Sequence, residues 1–148
     1  MLKDNKKHMS ENYDGDYYGW LATTATALEE GRLGDIDRDQ VAEELRDMGK
    51  SEKRGVVSHM RIIMIHLLKI RYQPEFHTRS WDLTIAASRE ALDEEFEDSP
   101  SLAALADTLR ARAYKGARID AAVETGLPLE TFPGECPFCI NDVIGDLR

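Results

Sequence analysis

No apolar stretch in this 148-residue chain approaches the ~18 residues that a membrane-spanning helix needs. The greasiest run, Ile62 to Leu68, is interrupted by His66. The N-terminal Met1-Leu-Lys-Asp-Asn-Lys-Lys-His8 has basic residues but no apolar core behind them, so no signal peptide is expected and the location expected is cytoplasmic. Cysteine is scarce at two residues, and a structural disulfide is not expected in that compartment. Basic residues are in the minority, 19 against 28 acidic, for a net charge of -9. That balance argues against nucleic acid or an anionic membrane as the main partner. Catalytic signatures are missing as well. There is no Gly-x-Ser-x-Gly elbow and no glycine-rich phosphate loop. The residues three before the four histidines are Asn5, Val56, Ile63 and Pro74, so no Glu-x-x-His pair of the di-iron type exists.

Nothing in the chain alternates as a strand does, and what is present reads as helix after helix. A first helix is expected from about Asp14 to Glu30, with Tyr17, Leu21, Thr24 and Leu28 on one face and Gly31 as its left-handed end. Asp37 with Gln40 three residues on forms a capping-box pattern, opening a helix through Val41, Leu45 and Met48 to Gly49. Ser51 is read as the cap of a separate central helix running to Tyr72, stopped by Pro74. Further helices are expected from Ser80, with Trp81, Ile85, Leu92 and Phe96 inward, and from Pro100 to Glu124, with Leu105, Leu109, Ala113, Ala117 and Ala121 inward. Gly126 closes the latter. Leu127 to Pro133 cannot be helical and is too apolar to float free, so it should drape over the helices; a short last helix is expected from Pro137.

These elements imply an all-α, up-and-down bundle of four to five main helices with an irregular C-terminal segment. The domain is expected to span residues 13–148 behind an arm of residues 1–12. The central helix is apolar on nearly every side, from Val56 to Ile70, and should be the most buried. If one chain cannot cover it, a second copy must, so a homodimer is expected. From Arg46 to Arg79 eight basic residues face three acidic ones, whereas Ser80 to Asp98 holds one basic and seven acidic. Adjacent helices of opposite charge should attract each other or a symmetry mate.

Several pieces together carry a family resemblance: Tyr18-Gly-Trp20-Leu, Val41-Ala-Glu-Glu-Leu-Arg-Asp-Met-Gly49, His66-Leu-Leu-Lys69 with Tyr72-Gln-Pro74, Ser80-Trp81, Ser99-Pro-Ser-Leu102, and Gly126-Leu-Pro with Phe132-Pro and Cys136-Pro137. In this order they resemble the bacterial domain-of-unknown-function family twenty-nine, small helical proteins of cyanobacteria and proteobacteria. The resemblance implies an all-helical domain of the bacterial cytoplasm and brings no catalytic or binding residues with it. Members carry Tyr-Thr or a similar pair after Cys-Pro, where this chain has Phe138-Cys139, so Cys139 falls outside any shared chemistry.

Four chemistries remain to be weighed. His59 and His66 lie seven residues apart, a helical rise of ~10.5 Å, against Zn–N bonds of ~2.1 Å, so one ion cannot take both. Either histidine would need carboxylates from another helix, such as Glu43, Glu44 or Asp47. No metal and no cofactor is therefore expected. A metal-dependent or acid/base enzyme is the alternative reading, centred on His66 with Glu43 or Glu44, and with Lys69 as a further acid/base candidate, provided two helices pack at those heights. Cys136-Pro-Phe-Cys139 looks like a redox motif, but such motifs place the first cysteine at a helix N-terminus after a strand, and Pro137 as a first-turn residue explains it more simply. Lastly, Tyr72, Arg79 and Trp81 gather aromatics and a cation around the turn between two helices, a mixture enriched at binding hot spots. The preferred reading is a protein-interaction or regulatory module with an unknown protein partner, rather than an enzyme.

Overall fold

The computed structural model describes residues 15–145, and the proposed N-terminal arm lies outside them. Among the described residues there are six α-helices and no strand, which makes the fold all-α. They are α1 (Tyr17–Glu29), α2 (Arg38–Tyr72), α3 (Arg79–Asp98), α4 (Pro100–Ala103), α5 (Ala106–Thr125) and α6 (Ile140–Ile144), with 3-10 turns at Leu33–Asp35, Pro74–Phe76 and Leu129–Thr131. The chain divides into two compact units, one ending at Lys50 and one beginning at Ser51.

Asp37 acts as the cap read from the sequence, but Gln40 does not complete the box, since its Oε1 is buried without a hydrogen-bond partner among the described residues. The Asp37 carboxylate accepts from the backbone N–H of Asp39 at 3.1 Å and of Gln40 at 3.2 Å, satisfying donors that an α-helix leaves open at its start. Gly126 ends α5 in the left-handed conformation at φ +71°. Two expected boundaries are not there. Gly49 keeps an ordinary helical φ, Ser51 caps nothing, and one helix of 35 residues replaces the two expected. Every residue from Leu45 to Arg54 is exposed, so a glycine there costs only its propensity, about 1 kcal/mol, and meets no packing demand that would end the helix. The expected helix from Pro100 breaks after Ala103 instead, where Leu105 adopts φ −95°, ψ 0°. The break shifts the inward stripe: Leu105 is exposed, while Ala106, Leu109, Ala113, Tyr114, Ala117 and Ala121 are buried.

In the unit from Ser51 onward, the contacts fix three helix directions. The α2 residues Gly55 and His59 meet Glu95 of α3, and Lys69 meets Trp81, so α3 runs antiparallel to α2. Arg61 meets Asp120 of α5 and Lys69 meets Glu124, so α5 runs parallel to α2. The result is up, down, up. Val56, Met60, Ile63, Met64 and Leu68 of α2 have no exposed surface and join Ile85, Leu92, Leu109, Ala117, Phe132, Phe138 and Val143 in one core. That core lies wholly within this unit, so the central helix needs no second copy to cover it.

The segment after α5 drapes as expected, because side chains from the helices take its carbonyls. Tyr114 donates to Pro133 O at 2.5 Å, Arg118 to Phe132 O at 3.1 Å and Arg110 to Phe138 O at 2.6 Å. Such carbonyls would otherwise be left without donors beside a dry core. In the other unit, Trp20 of α1 is buried and stacks on Tyr17 at 6.3 Å, and the Tyr17 hydroxyl donates to Glu44.

Candidate functional site

Trp81, the half-buried third residue of α3, is the centre around which His66 and Lys69 meet. The Lys69 ammonium stands 4.5 Å from its ring centroid. His77 stacks on it at 5.9 Å and 21°, and His66 meets it edge-on at 6.4 Å and 76°. Carboxylates hold two of these partners in place: Lys69 Nζ lies 2.9 Å from Glu124 and His77 Nε2 donates to Asp82 at 2.7 Å. The helix spacing puts His66 and Lys69 on one face of α2, and the antiparallel α3 brings the start of its first turn to that height.

His66 is satisfied by backbone. Its Nδ1 lies 2.8 Å from Ile62 O, and since a carbonyl only accepts, the proton is on Nδ1. No carboxylate among the described residues lies within 4 Å of the ring. Glu43 and Glu44 lie on α2, as His66 does, and not on the separate helix expected for them. A general base must be within hydrogen-bond reach of an acid or a substrate proton.

His59 faces Glu95, with Nε2 3.6 Å from the carboxylate. Burial raises the Glu95 carboxyl above the usual range, the facing His59 lowers it and Glu52 raises it. Among the described residues no group of three or more His, Cys, Asp or Glu is placed to hold a metal. Tyr72 is half-buried and packs edge-on against Phe132 at 5.1 Å, which makes it part of the core margin, while Arg79 is exposed at the first turn of α3. Both cysteines are free. The expected start of the last helix at Pro137 moves to Ile140, and it is Cys139, not Cys136, that caps it, with the Asp142 carboxylate accepting from its N–H at 2.8 Å. That bond holds the Asp142 carboxyl below the usual range. Cys136 is half-buried with its sulfur 3.7 Å from Met64 Sδ, so the first cysteine lacks the helix terminus that a reactive thiolate uses.

Two concave features escaped the sequence. One is an apolar groove of about 330 Å³ in the first unit, walled by Leu28, Leu33, Ile36, Val41 and Leu45, with Arg38 at its edge. The other is a cavity of about 600 Å³ in the second unit, between Leu67, Ile70 and Arg71 of α2, Arg89 of α3, and Phe138, Asn141 and Asp142 near the C-terminus. The groove had a signal: Leu28, Leu45 and Met48 were read as inward, and at 50%, 63% and 58% exposure they are not. The cavity had none, because its residues come together only through the draped segment.

A family model described as a domain of unknown function, DUF29, matches residues 12–146. No curated protein and no solved structure matches the chain. No helix among the described residues is long and apolar enough to cross a membrane.

Proposed function

The chain belongs to the DUF29 family, and from that premise we propose that it is a protein-interaction or regulatory module of the bacterial cytoplasm that pairs with a second copy of itself. The observation that carries this reading is the apolar groove of the first unit. Leu33 and Leu45, two of its walls, are 66% and 63% exposed, and Met48, three residues beyond Leu45 on the same helix, is 58% exposed. An apolar patch of this kind is usually a contact surface in a folded chain. The same patch supplies both a hollow and the side chains that stand proud of it, which is what a two-fold contact between identical surfaces requires.

Charge supports the same partner. Arg61 and Lys69 pair with α5, not with the acidic α3 that the sequence suggested. Glu90, Asp93, Glu94, Glu97 and Asp98 are exposed with no cation within 4 Å among the described residues, and so are Arg46, Lys53, Arg54 and Arg79 with no acid. One chain thus carries unspent charge of both signs, which a second copy can complement.

Light scattering after size exclusion, at rising protein concentration, tests the proposal. The parent is expected to approach the dimer mass, and Leu33→Asp with Leu45→Asp to stay monomeric with an unchanged helical circular-dichroism spectrum. A parent that remains monomeric at the highest concentration overturns it.

A further inference from the structure

We propose that the cavity between Arg71, Arg89 and Phe138 is a binding site for a small organic anion that carries an apolar chain or ring. Its volume, about 600 Å³, falls within the few hundred to about 1,000 Å³ of small-molecule sites. Its lining is mixed: Leu67, Ile70 and Phe138 are apolar, and Arg71, Arg89 and Asn141 carry hydrogen-bond donors. A ligand matched to it has an apolar body and an anionic head.

Neither arginine is in a close ion pair among the described residues, although both lie near enough to Asp142 to help hold its carboxyl below the usual range. Arg89 donates from Nε to Val143 O at 3.0 Å and from Nη2 to Asp142 O at 2.6 Å. Those acceptors are carbonyls, which fix the plane of the guanidinium without cancelling its charge, and three of its five N–H groups remain to donate. Arg71 stands 4.8 Å over the Phe138 ring, again a neutral partner. No carboxylate among the described residues lies within 4 Å of either guanidinium. Asp142 is the one acid lining the cavity, and its Oδ2 is committed to the Cys139 N–H. Two cations against one acid leave a positive balance, and Arg89 is positioned before any ligand arrives. Preorganised donors of that kind cost little entropy on binding.

Isothermal titration calorimetry of the intact chain with octanoate, octyl phosphate, acetate, inorganic phosphate and octanol tests the site. One-to-one saturation by octanoate or octyl phosphate is expected, and whichever of the two binds more tightly identifies the head group as carboxylate or phosphate monoester. Acetate, phosphate and octanol each lack half of the match and are expected to bind at least about tenfold more weakly. Arg71→Gln should weaken octanoate about ten- to hundredfold, the worth of a charged hydrogen bond. Asn141→Trp fills the cavity from an exposed position without touching the core and should abolish binding. Failure of both amphiphiles to saturate one site overturns the proposal. So does octanol binding as tightly as octanoate, or binding that survives both substitutions in variants that keep the parent's helical spectrum.

Discussion

The guanidinium of Arg61 fills the space into which a side chain on Gly116 would grow: a Cβ there would stand 2.7 Å from Nη1 and 2.9 Å from Nε. The same Nε reaches Asp120 at 2.5 Å, one turn further along α5. Glycine inside a helix costs about 1 kcal/mol relative to alanine, and a partly exposed ion pair is worth up to about 1 kcal/mol. Gly116→Ala alone should therefore change the urea stability by less than about 1 kcal/mol, one term offsetting the other. In an Arg61→Ala background the clash is gone, and the same substitution should stabilise by about 1 kcal/mol. Strict additivity between the two substitutions would show that Arg61 does not need the glycine.

Tyr114 is buried with its hydroxyl donating to Pro133 O, and burial pushes its pKa up to about 12. Tyr114→Phe keeps the ring but leaves that carbonyl without its donor, a cost of about 1 to 3 kcal/mol. Because the pKa of the folded state is raised, the contribution is complete below the ordinary tyrosine range and lost as pH rises through the folded value. The parent should lose stability in alkali over that window more steeply than Tyr114→Phe does. Limited proteolysis gives an independent reading, with faster cleavage between Leu127 and Phe138 in the variant. Equal denaturation midpoints and equal cleavage would remove the hydroxyl from the account.

Glu95 runs in the other direction from most acids. Its carboxyl is raised by burial, with His59 and Glu52 facing it, and Oε2 is buried without a hydrogen-bond partner among the described residues. For a raised folded value the stability contribution is fully present below the ordinary carboxylate range and is lost as pH rises through the folded value. Glu95→Gln keeps the shape and removes the charge. Urea midpoints measured across mildly acidic to neutral pH should show the variant gaining on the parent as pH rises, and the two converging at the acid end. A variant that loses ground towards neutrality would mean that the His59 contact outweighs burial.

The local chemistry of this chain was legible where one residue decides the backbone. Asp37 had to be a cap, since its carboxylate and the free N–H groups of a helix start belong together, and Gly126 had to be an end, since a left-handed residue closed α5. Gly49 misled because glycine permits a helix end without requiring one, and an exposed stretch has no packing to decide the matter. His66 illustrates the same limit. Its half-burial followed from the apolar run around it, but its partner, the Ile62 carbonyl one turn back, is available in any helix and leaves no mark in the sequence. Arg71 and Arg89 sit on different helices and meet only where residues 138–145 fold back on them. No spacing rule connects such residues; the three-dimensional path of an irregular segment does.

Lys69 is the residue on which the Trp81 cluster depends, and its two interactions can be separated. Its side chain is 15% exposed, with the ammonium over the indole and 2.9 Å from a Glu124 carboxylate that is itself 46% exposed. The ion pair should be worth up to about 1 kcal/mol, because water screens its outer member. The ring contact should add about 0.5 to 1 kcal/mol. Glu124→Gln removes the pair alone, whereas Lys69→Met removes both while keeping the stem that packs against the indole. Lys69→Met is thus expected to lower urea stability by about 1 to 2 kcal/mol and Glu124→Gln by less than about 1. High salt should shrink the Glu124 effect more than the remainder, since a cation held over an aromatic face is the less hydrated of the two contacts. Equal losses from both substitutions would mean that Trp81 gains nothing from the cation above it, leaving His66 and His77 to hold the ring by packing.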